Sequence, residues 1–538
     1  MTHQSLRKWR TGPRLLAPLL VAATFAVMGA MPPAATTTSP QDPSSQVQPA
    51  VAWSRDDAAH LLRRAGFSGT PEQINRLHAL GLSGAVEYLL SGSLPAGVAS
   101  ANAPFPPAQL EPLHLPPAAE AKANVVQKRR GGLELRDQWV QRMVRTDRPL
   151  QEKMTLFWHG LFTSGIREVK SPEQMLAQNQ LFHENALGNY RALTLAILHD
   201  PAMLKFLNNN ENVKGKPNEN LARELCELFT MGEGNGYTEK DVGEIARALT
   251  GATVRGSLKN PQGQYDFRPF MHDPGAKTIF GKTGNYKPDD VVDLIFQQPQ
   301  PAEHLARRLW EFFAAPDPTD SQLAPVVAAL RAHEYEVAPA LRALFTSPDF
   351  YSEHAKFALI KSPTELLVST VRMLDLPFEA PGLQRAASSL VGTMGQTLFE
   401  PPNVRGWPGG DNWITAATLF SRYNTATALV NDNLRPESPN GPLAQLLRKV
   451  RPAGDPPPGP HAASARSLFP NLPAQPTADL VVTAAVDRFL QRPLHPEKRK
   501  VLADVLGEQP LRLGDRSTDD RIRQMLGLLL STPEYQVE

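Results

Sequence analysis

The sequence predicts an all-α fold: a large multi-helix domain with long polar loops, plus a short C-terminal helical module that echoes an internal segment. Three observations carry this. A helix-start signature recurs, strand-like alternation is scarce, and the last ten residues repeat the pattern of an internal helix end. The signature is Ser or Thr, then Pro, then an acid or amide. It occurs as Thr70-Pro71-Glu72-Gln73, Ser171-Pro172-Glu173-Gln174 and Ser362-Pro363-Thr364-Glu365. The hydroxyl accepts from the orphan N–H groups of the first turn, proline loses no hydrogen bond at the first helical position, and the third side chain closes a capping box. Each cap is worth about 1 kcal/mol. "TEKDVGEIARALTG" starts the same way at Thr238 and Asp241 and stops at Gly251.

In chain order, residues 1–35 read as a secretory signal peptide. Arg7, Lys8, Arg10 and Arg14 form a positive start, Leu15 to Ala30 an apolar run, and Ala34 and Ala35 small residues after it. That run of 16 residues falls short of the roughly 20 that span a bilayer. An exported protein, periplasmic or extracellular, with no transmembrane span in the mature chain is expected; an uncleaved anchor is the alternative. Residues 36–52, rich in Thr, Ser, Pro and Gln, read as a disordered linker. Residues 53–430 form the helical domain, 431–478 a Pro-rich linker and 479–538 the C-terminal module. "LFTSPDFYSE" (Leu344–Glu353) aligns without gaps on "LLSTPEYQVE" (Leu529–Glu538), which points to a duplicated helical unit.

Charge and cysteine content narrow the function. The formal charge of +2 turns slightly negative once the four basic residues of the signal segment leave, so nothing suggests nucleic-acid binding. Cys226 is the sole cysteine, which rules out an internal disulfide and any Cys-x-x-Cys site. Neither His-Glu-x-x-His nor Gly-x-Ser-x-Gly occurs.

"GAKTIFGKTGNY" imitates a phosphate loop at Gly281-Lys282-Thr283. Gly275 and Gly281 enclose five residues instead of four, Ile279 and Phe280 would crowd a phosphate, and "FRPFMHDP" before it is no buried strand. No nucleotide is therefore expected. The richest candidate chemistry lies in "NENLARELCELF". There Asn220, Glu224 and Glu227 share one helical face, with Glu219 and Arg223 spaced for an ion pair beside it. Two glutamates three apart can hold a divalent metal or work as an acid/base pair, and the glycines of "MGEGNGYT" invite a ligand. A solvated face with its own salt bridge is the plain alternative.

Other candidates join it. His272 and Asp273 open a loop that can turn both inward, although Asp273-Pro274-Gly275 is also a good turn on its own; Lys277 could meet an anion or merely neutralise Glu227, and Arg405 could meet an anion. Trp407 suits a staple that closes its loop, Trp413 a pocket rim. His159, on a mostly apolar helix, reads more readily as a core histidine than as a metal ligand. The catalytic set is Glu224, Glu227, His272 and Asp273, the ligand-binding set Asn220, Lys277, Arg405 and Trp413, and the metal set His159, Glu224 and His272.

Five segments in order resemble the bacterial family called domain of unknown function 1800: "TLFWHGLFTSG" (Thr155–Gly165), "HENALGNYRALTLAILHDPAM" (His183–Met203), "KPNENLARELCELFTMGEGNGYTEKDVGEIARALTG" (Lys216–Gly251), "HDPGAKTIFGKTGNY" (His272–Tyr286) and "PPNVRGWPGGDNWITAATLFSRYN" (Pro401–Asn424). The resemblance implies an exported, largely helical protein, with the false phosphate loop as a signature loop between two helices. It brings no activity. It implies a neighbour, an exported sulfatase-like protein of the domain of unknown function 1501 family. Relatives usually carry a second His two positions after the first in the Trp-His segment; here that residue is Leu161, which weakens a His-x-His metal pair. Two functions stay open: a pocket for a metal or a small anionic or sugar-like ligand, with hydrolysis as its chemistry, and a non-catalytic exported scaffold or partner for the sulfatase-like protein.

Overall fold

The caps form as the sequence predicts. Thr70, Thr238 and Ser362 each accept from the N–H three residues on, and Gln73, Asp241 and Glu365 reach back to the capping N–H at 2.9, 2.9 and 2.7 Å. Ser171 caps Pro172–Glu184 by accepting from the N–H of Gln174. The computed structural model describes residues 52–115, 125–256, 263–376, 381–431 and 464–538, so residues 1–35, read above as a signal peptide, and most of the two segments read as linkers lie outside it. The described chain is 60% helix and 5% strand, with 22 helices, which makes the fold essentially all-α.

Strand pairs in two hairpins, Ala252–Arg255 with Gln264–Phe267 and Lys277–Ile279 with Lys282–Gly284. The second contains the false phosphate loop. Phe280 and Gly281 take φ of 48° and 76°, the left-handed pair that a two-residue hairpin turn needs. Gly281-Lys282-Thr283 therefore leads into a strand, and no helix N-terminus follows it directly to cradle a phosphate.

Residues Pro49–Glu538 form one compact unit with two hydrophobic clusters. One gathers the first helices with those between Tyr190 and Tyr351. The other gathers Val125–Arg145, Pro363–Met373, Pro381–Thr393 and Ala416–Asn431 with the C-terminal helices. Helix Pro149–Leu161 stands between them, with Trp158 in the first cluster and Leu156 in the second. Nearly all of its residues are buried, as a helix needed on every side must be.

The echo in the sequence is also an echo in structure. Gln300–Phe313, Asp320–Ala332 and Val337–Thr346 end in the short 3₁₀ turn Pro348–Tyr351. Ala478–Leu490, Pro496–Leu506 and Arg516–Leu530 end in Pro533–Tyr535. In both turns a buried basic side chain reaches the carbonyl of the aligned aromatic residue: His60 Nε2 to Phe350 O at 2.9 Å, and Lys361 Nζ to Tyr535 O at 2.8 Å.

Candidate functional site

Three of the segments picked out in the sequence meet around one loop. Residues Phe399–Trp407 lie on the end of helix Pro149–Leu161. The Phe399 N–H donates to His159 Nε2 at 3.2 Å, and the rings of Phe399 and Trp407 pack on the imidazole at 5.2 and 5.5 Å. Gly406 is needed here: its φ is +76°, and a Cβ would stand 2.7 Å from the Gly160 carbonyl oxygen. Arg405 then reaches the third segment. Its Nη2 contacts Glu227 at 2.7 Å and its Nη1 contacts Glu233 at 3.2 Å.

Below Arg405 the backbone departs from expectation. The predicted helix runs as α only over Asn220–Glu224 and continues as a π-turn, Leu225–Thr230. Such turns recur at functional sites. Glu219 and Arg223 do pair, at 3.1 Å, and Arg223 also holds Glu239 at 2.8 Å. Glu224 is half-buried and has no hydrogen bond or ion pair among the described residues. Burial first, and Glu227 next, push its carboxyl above the usual range, against the pull of Arg405 and Arg223. Asn220 is exposed at the start of the helix.

The remaining candidates form a separate latch. His272 is buried and its Nδ1–H donates to the Thr250 carbonyl at 2.9 Å; burial lowers its pKa. Arg247 binds Asp273 at 2.8 Å and holds that carboxyl at about 2. Lys277 is 1% exposed. Its ammonium donates to the carbonyls of Asp273 and Gly275 at 2.6 and 2.9 Å. Helix Glu239–Ala248 clasps the hairpin as well, through Glu244 to the Thr278 N–H and Asp241 to the Phe280 N–H. No bond joins this latch to Glu224 or Glu227 among the described residues.

His159 is 1% exposed, inside a cage of Trp139, Phe182, Phe399 and Trp407. Burial lowers its pKa to about 3. Its Nε2 accepts from the Phe399 N–H. Among the described residues no three His, Cys, Asp or Glu side chains are grouped to hold a metal. The His159 resonance is expected to show no titration between about pH 8 and about pH 5 by NMR; a midpoint near the ordinary value of about 6.5 would refute the cage. Because the folded pKa is lowered, His159 supports stability above about pH 6.5 and withdraws it progressively below.

Trp413 is 6% exposed. It is packed inward, while Trp407 is partly exposed; the sequence had suggested the pocket role for Trp413. A cavity of about 400 Å³ lies elsewhere, lined in part by Gln73, Phe105, Arg145 and Arg372. None of the candidate residues lines it, and Leu376 on its wall precedes the undescribed residues 377–380. Sequence reasoning missed Glu233 as a partner of Arg405 and missed His304, whose Nε2 contacts Leu228 O at 2.9 Å under the π-turn. Nothing local to "PAEHLARR" signals that contact.

Fold and site together describe a helical protein in which distant polar loops are pinned onto one irregular helix. The chain belongs to the family described as Protein of unknown function (DUF1800), matched over residues 60–537. The match runs on through the C-terminal helices. No curated protein and no solved structure matches the chain.

Proposed function

We propose that this is an exported protein whose Glu224–Glu227–Arg405 surface binds a neutral, hydroxyl-rich, sugar-like ligand, with Glu224 placed to donate a proton to it. The observation that carries this is the unlike pair of carboxyl groups: Glu227 is held by Arg405 at 2.7 Å, while Glu224 beside it is unpaired and shifted toward its protonated form. Neighbouring carboxyls in different surroundings are what acid/base work on a glycosidic or similar bond requires. An anionic ligand fits less well. Arg405 is already paired, Lys277 is buried on carbonyls, and Glu219, Glu233 and Glu239 add negative charge nearby.

The test is saturation-transfer NMR of the purified protein against neutral oligosaccharides, hexuronates and diamines. A neutral saccharide should bind, and Glu224→Leu, which removes the donor, should weaken it about tenfold. Binding of the uronates or diamines alone, or an unchanged Glu224→Leu variant, would overturn the reading.

A second reading has one observation in its favour. Phe270 and Phe420 are 78% and 67% exposed, which suits a non-catalytic partner of an exported sulfatase-like protein. Co-purification lost in Phe270→Ser would support that reading instead.

A further inference from the structure

The π-turn is braced from outside. The N–H groups of Met231 and Gly232 both reach back to the Cys226 carbonyl, at 2.8 and 3.2 Å. Three other carbonyls of the turn accept from side chains: Leu225 from Thr230 Oγ1, Leu228 from His304 Nε2 at 2.9 Å, and Phe229 from the Tyr190 hydroxyl. Two of these donors come from other helices, Tyr190–Leu198 and Gln300–Phe313. A carbonyl only accepts, so Nε2 carries the imidazole proton.

The helix that carries His304 is also the floor of the glycine loop. A Cβ on Gly232 would stand 3.3 Å from His304 Nδ1, and one on Gly236 only 2.2 Å from Gln300 Nε2. Gly232 and Gly236 take φ of +92° and +79°, the left-handed region that favours glycine.

We propose that His304 is a positioning residue of the candidate site: its bond to Leu228 O holds the π-turn that brings Glu227 to Arg405 beside Glu224. A π-turn takes one more residue than an α-turn, and each residue is about 100° of helix rotation. Relaxation to α would therefore swing Glu227 away from Arg405. The two donors from distant helices satisfy carbonyls that the irregular turn would otherwise leave open, and in holding the turn they fix the direction of Glu227. The importance of that direction rests on the ligand reading above, but the bracing itself does not. Burial lowers the His304 pKa to about 4, so the imidazole stays neutral and Nε2 keeps its proton at neutral pH.

Cys226 supplies a built-in reporter. It is the chain's one cysteine, fully buried, and its own carbonyl anchors the turn. Alkylation of the full chain by iodoacetamide, followed by mass spectrometry, reads how often the turn opens. His304→Leu, which keeps bulk but loses the donor, should speed alkylation about tenfold. His304→Gln, which keeps a donor, should return it near the parent rate. Tyr190→Phe deletes one hydroxyl and should also speed it. His60→Leu, which breaks a similar bond at Phe350, should leave it unchanged. The Arg405 Nε–H resonance should shift in His304→Leu and return in His304→Gln. Equal rates in His304→Leu and the parent, no rescue by glutamine, or an equal increase in His60→Leu would overturn the proposal. No ligand enters this measurement, so a failed saccharide screen and a failed brace give different results.

Discussion

Lys153→Ala should cost about 3–5 kcal/mol of folding stability at neutral pH, the usual penalty for leaving buried charge without its partner. Lys153 is fully buried between two carboxylates. It bonds Glu365 directly and lies 3.5 Å from Glu538, which Arg64 holds at 2.8 Å. The cluster ties helix Arg55–Ala65, helix Pro149–Leu161, helix Pro363–Met373 and the final residues into one contact. Those last residues pair as a short extended ladder with Leu359 and Lys361.

The two acids respond differently to this setting. Burial works to raise Glu365, but Lys153, Arg64 and the Ser362 N–H override it and hold the carboxyl at about 2. Burial and the neighbouring Glu365 raise Glu538. The sign follows for Glu365: with a depressed folded pKa, its contribution is fully present above its unfolded value of about 4.3 and is lost as pH falls toward about 2. Glu538 works in the opposite direction and softens that slope. Urea midpoints of parent and Lys153→Ala should therefore differ most at neutral pH and converge in strong acid. A loss below about 1 kcal/mol at neutral pH would mean that water or a rearranged Arg64 replaces the lysine.

Gly406→Val should have the second largest effect, and it should reach the candidate site. A β-branched residue at φ +76° costs about 1–3 kcal/mol in backbone strain alone, and its Cβ would collide with the Gly160 carbonyl oxygen. That oxygen belongs to backbone and cannot swing aside, so the loop has to lift. Arg405 would then leave Glu227, and the Trp407 ring would leave His159. Hydrogen exchange by mass spectrometry should show faster exchange over residues 399–413 and 225–232, with the C-terminal helices unchanged. A variant as stable as the parent, with unaltered exchange at Glu227, would remove the loop from the account of the site.

The legible parts of this protein are those whose cause lies within a few residues. Thr70, Thr238 and Ser362 cap helices because a hydroxyl, a proline or acid, and an apolar face follow within one turn. His159 was readable as a core histidine because its helix is apolar on most sides. The mismatch at Gly275–Thr283 was readable as well, since loop spacing is a local property; the hairpin that replaces it was not anticipated.

The candidate site was legible only in part. Glu224, Glu227 and Arg405 were each named from sequence, but their meeting was not visible there. Lys277 was readable as a partner for an anion or for Glu227, because nothing in "DPGAKTI" says that the loop curls over its ammonium. Trp413 looked like a rim residue for the same reason.

By itself, the sequence determined the helical class, the helix starts, the lack of a second cysteine for an internal disulfide and the echo between Leu344–Glu353 and Leu529–Glu538. Local hydrogen bonding and apolar spacing decide those features, and they act over three or four residues. Only the tertiary structure decided that Arg405 pairs with Glu227 across 178 positions, that His304 and Tyr190 brace a π-turn, and that Lys277 is buried. Those outcomes depend on which helices pack together, because an irregular backbone or a buried ammonium persists only where distant groups satisfy its hydrogen bonds.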